Sequence, residues 1–140
     1  MEERRSDAQI ERVETPTAPI PAGHYSQALV YQGVVYVAGQ LPVQPVTGAR
    51  ELGSIEAQTE LVLRNLAAII EAAGSDLSRV LRTTVYLTDI GLWGRVNDVY
   101  QRAFGAHRPA RTVVPVPTLH HGFLIEIDAI AACLPPLPNS

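Results

Sequence analysis

Hydrophobic and polar positions alternate or recur at helical spacing along most of the chain. Positions 26–31 and 34–38 are rich in β-branched and aromatic residues and flank Gln32-Gly33, a dipeptide suited to a hairpin turn. The second run, Val34-Val35-Tyr36-Val37-Ala38, is apolar on both faces, which predicts a buried central strand ending at Gly39-Gln40-Leu41-Pro42. Val43 to Gly53 reads as a loop broken by Pro45, Gly48 and Gly53. From Ser54 to Ala73, Val62, Leu66, Ile69, Ile70 and Ala73 form one helical stripe. Ser54 is placed to cap that helix, Glu56 sits where the dipole favours an acid, and Gly74 can end it. In the strand Leu81 to Leu87, positions 81, 83, 85 and 87 alternate with Arg82, Thr84 and Tyr86. A second helix is expected from about Leu92 to Phe104, burying Trp93, Val96, Tyr100, Ala103 and Phe104 and stopped by Gly105. A strand from about Thr112 to Val116 follows, and Pro115 and Pro117 make it short or an edge. After the turn His120-His121-Gly122, the strand Phe123 to Ala131 alternates, with its odd members apolar.

The order β-β-α-β-α-β-β predicts an α+β fold, one sheet with two helices on one face. No helix remains for the other face, which carries Tyr36 or Val35 together with Ile130. Other copies of the chain are expected to cover it. Residues 1–18 are polar, then proline-rich, and read as a mobile tail, partly helical. Residues 19–132 form the domain, and 133–140, with Pro135, Pro136 and Pro138, an irregular tail.

Composition narrows the function classes. The chain has 140 residues, enough for one domain with a sizeable core. Its charged fraction of 18% is low, a hint of surface hidden in an oligomer. The net charge is -3 and there is no lysine, which argues against nucleic acid as a main partner. Cys133 is the only cysteine, so no internal disulfide can form, as suits a reducing cytoplasm. No apolar run is long enough to span a membrane, and the charged N-terminus lacks the apolar core of a signal peptide. His24, His107 and the adjacent His120-His121 show no metal-ligand spacing, so no metal is expected. Neither a glycine-rich phosphate loop nor a Gly-x-Ser-x-Gly elbow is present.

Two residues stand out as candidate chemistry. Arg111, in Pro109-Ala110-Arg111-Thr112, offers a permanent cation whose planar fork suits a carboxylate. The same residue could be a plain surface arginine at a strand start. Glu126 lies between Ile125 and Ile127, where a carboxylate can move a proton or hold a water. It could equally belong to a solvated face shared with Asp128. Tyr25 reads as a pocket residue or a packed aromatic, and Asn97 as a helix-surface residue.

Several segments, in this order, resemble the reactive intermediate deaminase family (RidA/YjgF-type, endoribonuclease L-PSP-like). They are Gly23-His24-Tyr25-Ser26-Gln27-Ala28, Val37-Ala38-Gly39-Gln40-Leu41-Pro42, Gln58 onward in the first helix and Thr83-Thr84-Val85-Tyr86-Leu87-Thr88-Asp89. Val96-Asn97-Asp98-Val99-Tyr100, Pro109-Ala110-Arg111-Thr112 and Ile125-Glu126-Ile127-Asp128-Ala129-Ile130-Ala131 complete the set. The resemblance spans about Pro19 to Ala132. It implies a chorismate-mutase-like fold and a homotrimer whose three sheets form a central barrel, with ligand clefts between subunits. It also implies cofactor-free hydrolysis of small 2-imino or enamine acids, such as 2-iminobutanoate and 2-iminopropanoate, to 2-oxo acid and ammonia. On that likeness Arg111 would grip the substrate carboxylate, Glu126 would orient water, and Tyr25 would line the pocket from across the interface. Asn97 would stand near the cleft, with Gly39 and Val113 contributing backbone groups. Ala38 and Val113 depart from the serine and cysteine that many members carry. The cleft is therefore expected to be more apolar and to favour bulkier imino acids. The alternative implied is a non-catalytic member that binds or senses a small carboxylate.

Overall fold

The computed structural model describes residues 9–136. Its strands are β1 (Glu11–Val13), β2 (Ala28–Tyr31), β3 (Val34–Gln40), β4 (Val80–Leu87), β5 (Ala110–Pro115) and β6 (Ile125–Ala132). The helices are α1 (Ile55–Ala72) and α2 (Trp93–Phe104). One mixed sheet runs β1-β2-β3-β6-β4-β5, with only β4 and β5 parallel, linked through α2. The α+β architecture expected from the pattern is the one found.

Local chemistry explains the main boundaries. At the β2–β3 turn both Gln32 and Gly33 take positive φ, 50° and 78°, the conformation that matches strand twist in a tight hairpin. The Ser54 side chain accepts the Ala57 N–H and so caps α1. At the other end the Ser75 N–H reaches Ile70 O and the Gly74 N–H reaches Glu71 O, a Schellman closure. The Glu56 carboxylate accepts two hydrogen bonds of 2.7 Å from Arg95, tying the start of α1 to α2. That pair holds the exposed carboxyl down at about 2.

Three differences from the pattern have physical causes. Glu11–Val13, assigned to the tail, pairs antiparallel with β2 because β2 otherwise presents an open edge. The expected tail through residue 8, and residues 137–140, lie outside the described residues. Leu81 is 51% exposed although its alternation predicted burial. A register shift between Val80 and Arg82 inserts one residue there and turns Leu81 outward. On α2, Val99 is buried and Ala103 exposed, so the helix is rotated slightly from the stripe read off the sequence.

The core lies between the sheet and the two helices. Val35, Val85, Leu87, Ile125, Ile127 and Ala131 meet Val62, Leu66, Ile69, Ile70 and Val96 there. Among the described residues no helix covers the opposite sheet face. Leu29, Tyr36 and Ile130 pair side by side across β2, β3 and β6 on that face, with Leu29 39% and Tyr36 48% exposed. Among the described residues no helix is long and apolar enough to cross a membrane.

Candidate active site

A bulge in β3 builds one half of the candidate site. Val37 pairs with Ala129 and Gln40 with Ile127, so Ala38 and Gly39 together oppose the single residue Asp128. The extra residue keeps both Val37 and Gln40 on the buried face and swings the Ala38-Gly39 backbone toward β6. The Glu126 carboxylate packs directly against Gly39, so closely that a Cβ built at 39 would overlap a carboxylate oxygen. Glu126 is half-buried, and burial raises its pKa above the ordinary carboxylate range. Asp128 pushes the same way, while the charge of His120 opposes.

Buried amides fix this half. Gln27 donates to Thr15 O and Pro19 O at 3.0 and 2.9 Å and accepts the Thr15 N–H at 2.8 Å. It thereby anchors the proline-rich segment that leads to Tyr25. Gln58 accepts the Leu124 N–H at 2.9 Å and donates to Gly53 O, which docks the start of β6 on α1. Tyr25 is 52% exposed, its hydroxyl accepting the Ala22 N–H at 3.3 Å, and it lines a recess of about 280 Å³ with Gly39.

The second half surrounds Arg111. Its guanidinium lies 4.3 Å from the Trp93 ring centroid and 4.8 Å from that of Tyr100, and donates to Asn97 Oδ1 at 3.0 Å. Among the described residues, stacking and a single side-chain hydrogen bond hold the cation and leave most of its donors free. The Tyr100 hydroxyl is itself fixed by Thr83 at 2.7 Å. Trp93 and Tyr100 read in sequence as packing residues only. Their spacing with Asn97 at i, i+4 and i+7 on one helix face was the signal that they act together. Val113 follows on the same strand face, against the core.

One chain does not bring the two halves together. Arg111 pairs with the buried Thr83 and faces the helices, whereas Glu126 pairs with Tyr86 on the open face. β4 stands between their strands, and three residues of strand length separate them. Their backbones are thus roughly 14 Å apart. Arg111 and Asn97 form one group, and Tyr25, Ala38, Gly39 and Glu126 another. Arg111 and Asn97 border one recess of about 680 Å³, and Tyr25 and Gly39 border another, which Glu126 adjoins through Gly39.

The family model described as Endoribonuclease L-PSP matches residues 15–133. A RutC family protein of Pyrococcus horikoshii is 46% identical over 117 residues, covering 84% of this chain and 93% of the relative. A 2-iminobutanoate/2-iminopropanoate deaminase of Rattus norvegicus is 40% identical over 119 residues, covering 85% and 87%. Among solved structures, E. coli TdcF with bound serine is similar with a TM-score of 0.84 and 34% identity, over 89% of this chain and 99% of that one.

Proposed function

The chain belongs to the endoribonuclease L-PSP family, that of the YjgF/RidA proteins, and on that premise we propose that it hydrolyses 2-imino and enamine acids to 2-oxo acids and ammonia. The observation that carries this reading is Glu126, a half-buried carboxylate biased toward its neutral form beside the backbone of a glycine bulge. Such a group can accept a proton from water and return it at neutral pH. A protonated imine is already electrophilic, so orientation and a positioned water suffice. The water oxygen attacks C2 and its proton passes to Glu126. The tetrahedral intermediate then takes that proton on nitrogen, Glu126 takes the remaining hydroxyl proton as the C–N bond breaks, and ammonia leaves as the C=O forms. Arg111 holds the substrate carboxylate, Asn97 steadies Arg111, and Tyr25 and Ala38 wall the pocket.

Because the two halves face opposite ways in one chain, each cleft in this proposal joins Arg111, Asn97 and Val113 of one copy to Tyr25, Gly39 and Glu126 of the next. A homotrimer with its open sheet faces inward would cover Leu29, Tyr36 and Ile130 and assemble three such clefts. The bound serine of the TdcF structure is in keeping with an amino-acid-like ligand. A net charge of -3 without lysine weighs against RNA as the substrate, and the single cysteine suits the cytoplasm.

An imine generated in situ by an amino-acid oxidase, with semicarbazide to trap what survives, tests the reading. Less semicarbazone and faster 2-oxo acid and ammonia release with the protein present are expected. Unchanged trapping across small and bulky imines would favour the alternative, a non-catalytic carboxylate binder. Gly39→Ala bears on the same point. Its Cβ must displace the Glu126 carboxylate, so kcat should fall roughly tenfold or more, with far-UV circular dichroism unchanged. A variant of parental activity would remove Glu126 from the mechanism as drawn.

A further inference from the structure

The recess beside Tyr25 and Gly39 has a wall to which neither the sequence nor the proposed mechanism gives a role. Ile20, Val43, Arg50 and His121 line it together with Tyr25 and Gly39. Its volume of about 280 Å³ is more than the methyl or ethyl substituent of a small imino acid fills.

Arg50 is presented by a pinned loop. The Gln44 N–H reaches Ala49 O at 2.8 Å, the Glu51 N–H reaches Pro42 O at 2.9 Å, and Val43 bridges Arg50. The buried Asn65 of α1 donates to Val43 O at 2.9 Å and docks this loop on the core. The adjacent acid is turned away, since Glu51 accepts the Gly53 N–H at 3.0 Å. Among the described residues no carboxylate pairs with Arg50, and it is not among the charges that act on Glu126. Arg50 is exposed and borders the recess, so its cation is available to an anion bound there.

His121 is exposed and borders the same recess. It adopts the left-handed conformation, φ 59° and ψ 18°, in the turn that leads to β6. Its ring stands edge-on to the buried Phe123 at 5.9 Å, which sets the direction of the ring on the recess wall.

We propose that this recess receives the substrate side chain and that Arg50 and His121 bind a second, distal carboxylate, making 2-imino dicarboxylates the preferred substrates. The inference rests on the deaminase reading of the same cleft. Arg111 of one copy grips the C1 carboxylate, Arg50 of the next grips the distal one, and the imine carbon is stretched between them beside Glu126. Arginine suits the distal role as it suits the first, through two parallel charge-assisted hydrogen bonds. This keeps the expectation of bulkier imino acids drawn from Ala38 and Val113, and puts charge in place of apolar surface at the far end.

The test compares 2-oxoglutarate with 2-oxobutanoate by calorimetry, and the imines of glutamate and 2-aminobutanoate by ammonia release. Wild type, Arg50→Ala, Arg50→Gln and His121→Asn are run together, asparagine being tolerant of the left-handed backbone. Wild type should bind the dicarboxylate about tenfold more tightly or better, and the Arg50 variants should lose most of that ratio. His121→Asn should lose a smaller part of it. Equal affinities in wild type, or a ratio that survives both Arg50 substitutions, would overturn the second anion site. Absence of turnover on every imine with the dicarboxylate preference intact would instead overturn the deaminase reading and leave the anion site standing.

Discussion

Arg111→Ala should lower kcat/KM for imine hydrolysis by roughly two to three orders of magnitude, the loss expected when two charge-assisted hydrogen bonds to a carboxylate disappear. The side chain is ordered before substrate arrives: Trp93 and Tyr100 stack on it and Asn97 accepts one of its protons. Little ordering entropy then remains to be lost on binding. Arg111→Lys should recover only a small part of the activity, because a point charge on a flexible stem neither stacks in the aromatic cradle nor forks to both oxygens. Stability should barely respond. Arg111 is exposed and makes no ion pair among the described residues, and a cation–π contact at such a site contributes about 0.5–1 kcal/mol. Steady-state kinetics beside a thermal melt separates the two effects. A variant within threefold of the parent would exclude Arg111 as the carboxylate clamp.

The helices, the hairpin and the alternation of β6 were legible in the sequence because each rests on local signals. Ser54 and Gly74 bound α1, Gln32-Gly33 sets the turn, and Ile125, Ile127, Ala129 and Ala131 mark one strand face. The bulges at Ala38-Gly39 and Leu81 were not legible, since a register shift depends on the neighbouring strand and leaves no trace in its own residues. Pairing of Glu11–Val13 is likewise a tertiary event in a polar stretch. In the candidate site, Arg111 was visible as a cation at a strand start and Glu126 as a carboxylate inside an apolar strand. Their placement on opposite faces was not visible, because it follows from the strand order β6-β4-β5 and from the partners Thr83 and Tyr86. Arg50 escaped notice, and His121 stood out only as part of the His120-His121 turn, with no role to assign it. Only the placing of the 42–51 loop beside the His121 turn brings them to one wall.

Glu126→Gln should remove most activity, by roughly 10²–10⁴-fold, the usual worth of a positioned acid–base group, while leaving the fold as stable as before or more so at neutral pH. The signs follow from burial. The folded-state pKa of Glu126 is raised, so the native protein holds this proton more tightly than the unfolded chain does. Ionisation therefore costs stability as pH rises through the interval between the ordinary value of 4.5 and the folded value. A neutral glutamine escapes that cost. Its melting temperature should match or exceed the parent's at pH 7, and the gap should close as pH falls below 4.5. Opposite movements of activity and stability would separate a functional carboxylate from a merely structural one, whose loss would lower both. The same variant tests where the cleft lies. If each cleft takes Arg111 from one copy and Glu126 from the next, two inactive proteins can repair one another. Mixed trimers of Arg111→Ala and Glu126→Gln, refolded together and isolated through two different tags, should regain roughly a third of parental activity, because every mixed trimer keeps one whole interface in three. A wild-type site needs both groups intact at one interface, and the arrangement that spoils one interface leaves another whole. Purified mixed assemblies with no activity would place both residues in a single-chain site, which the opposed faces of β5 and β6 give no means of building.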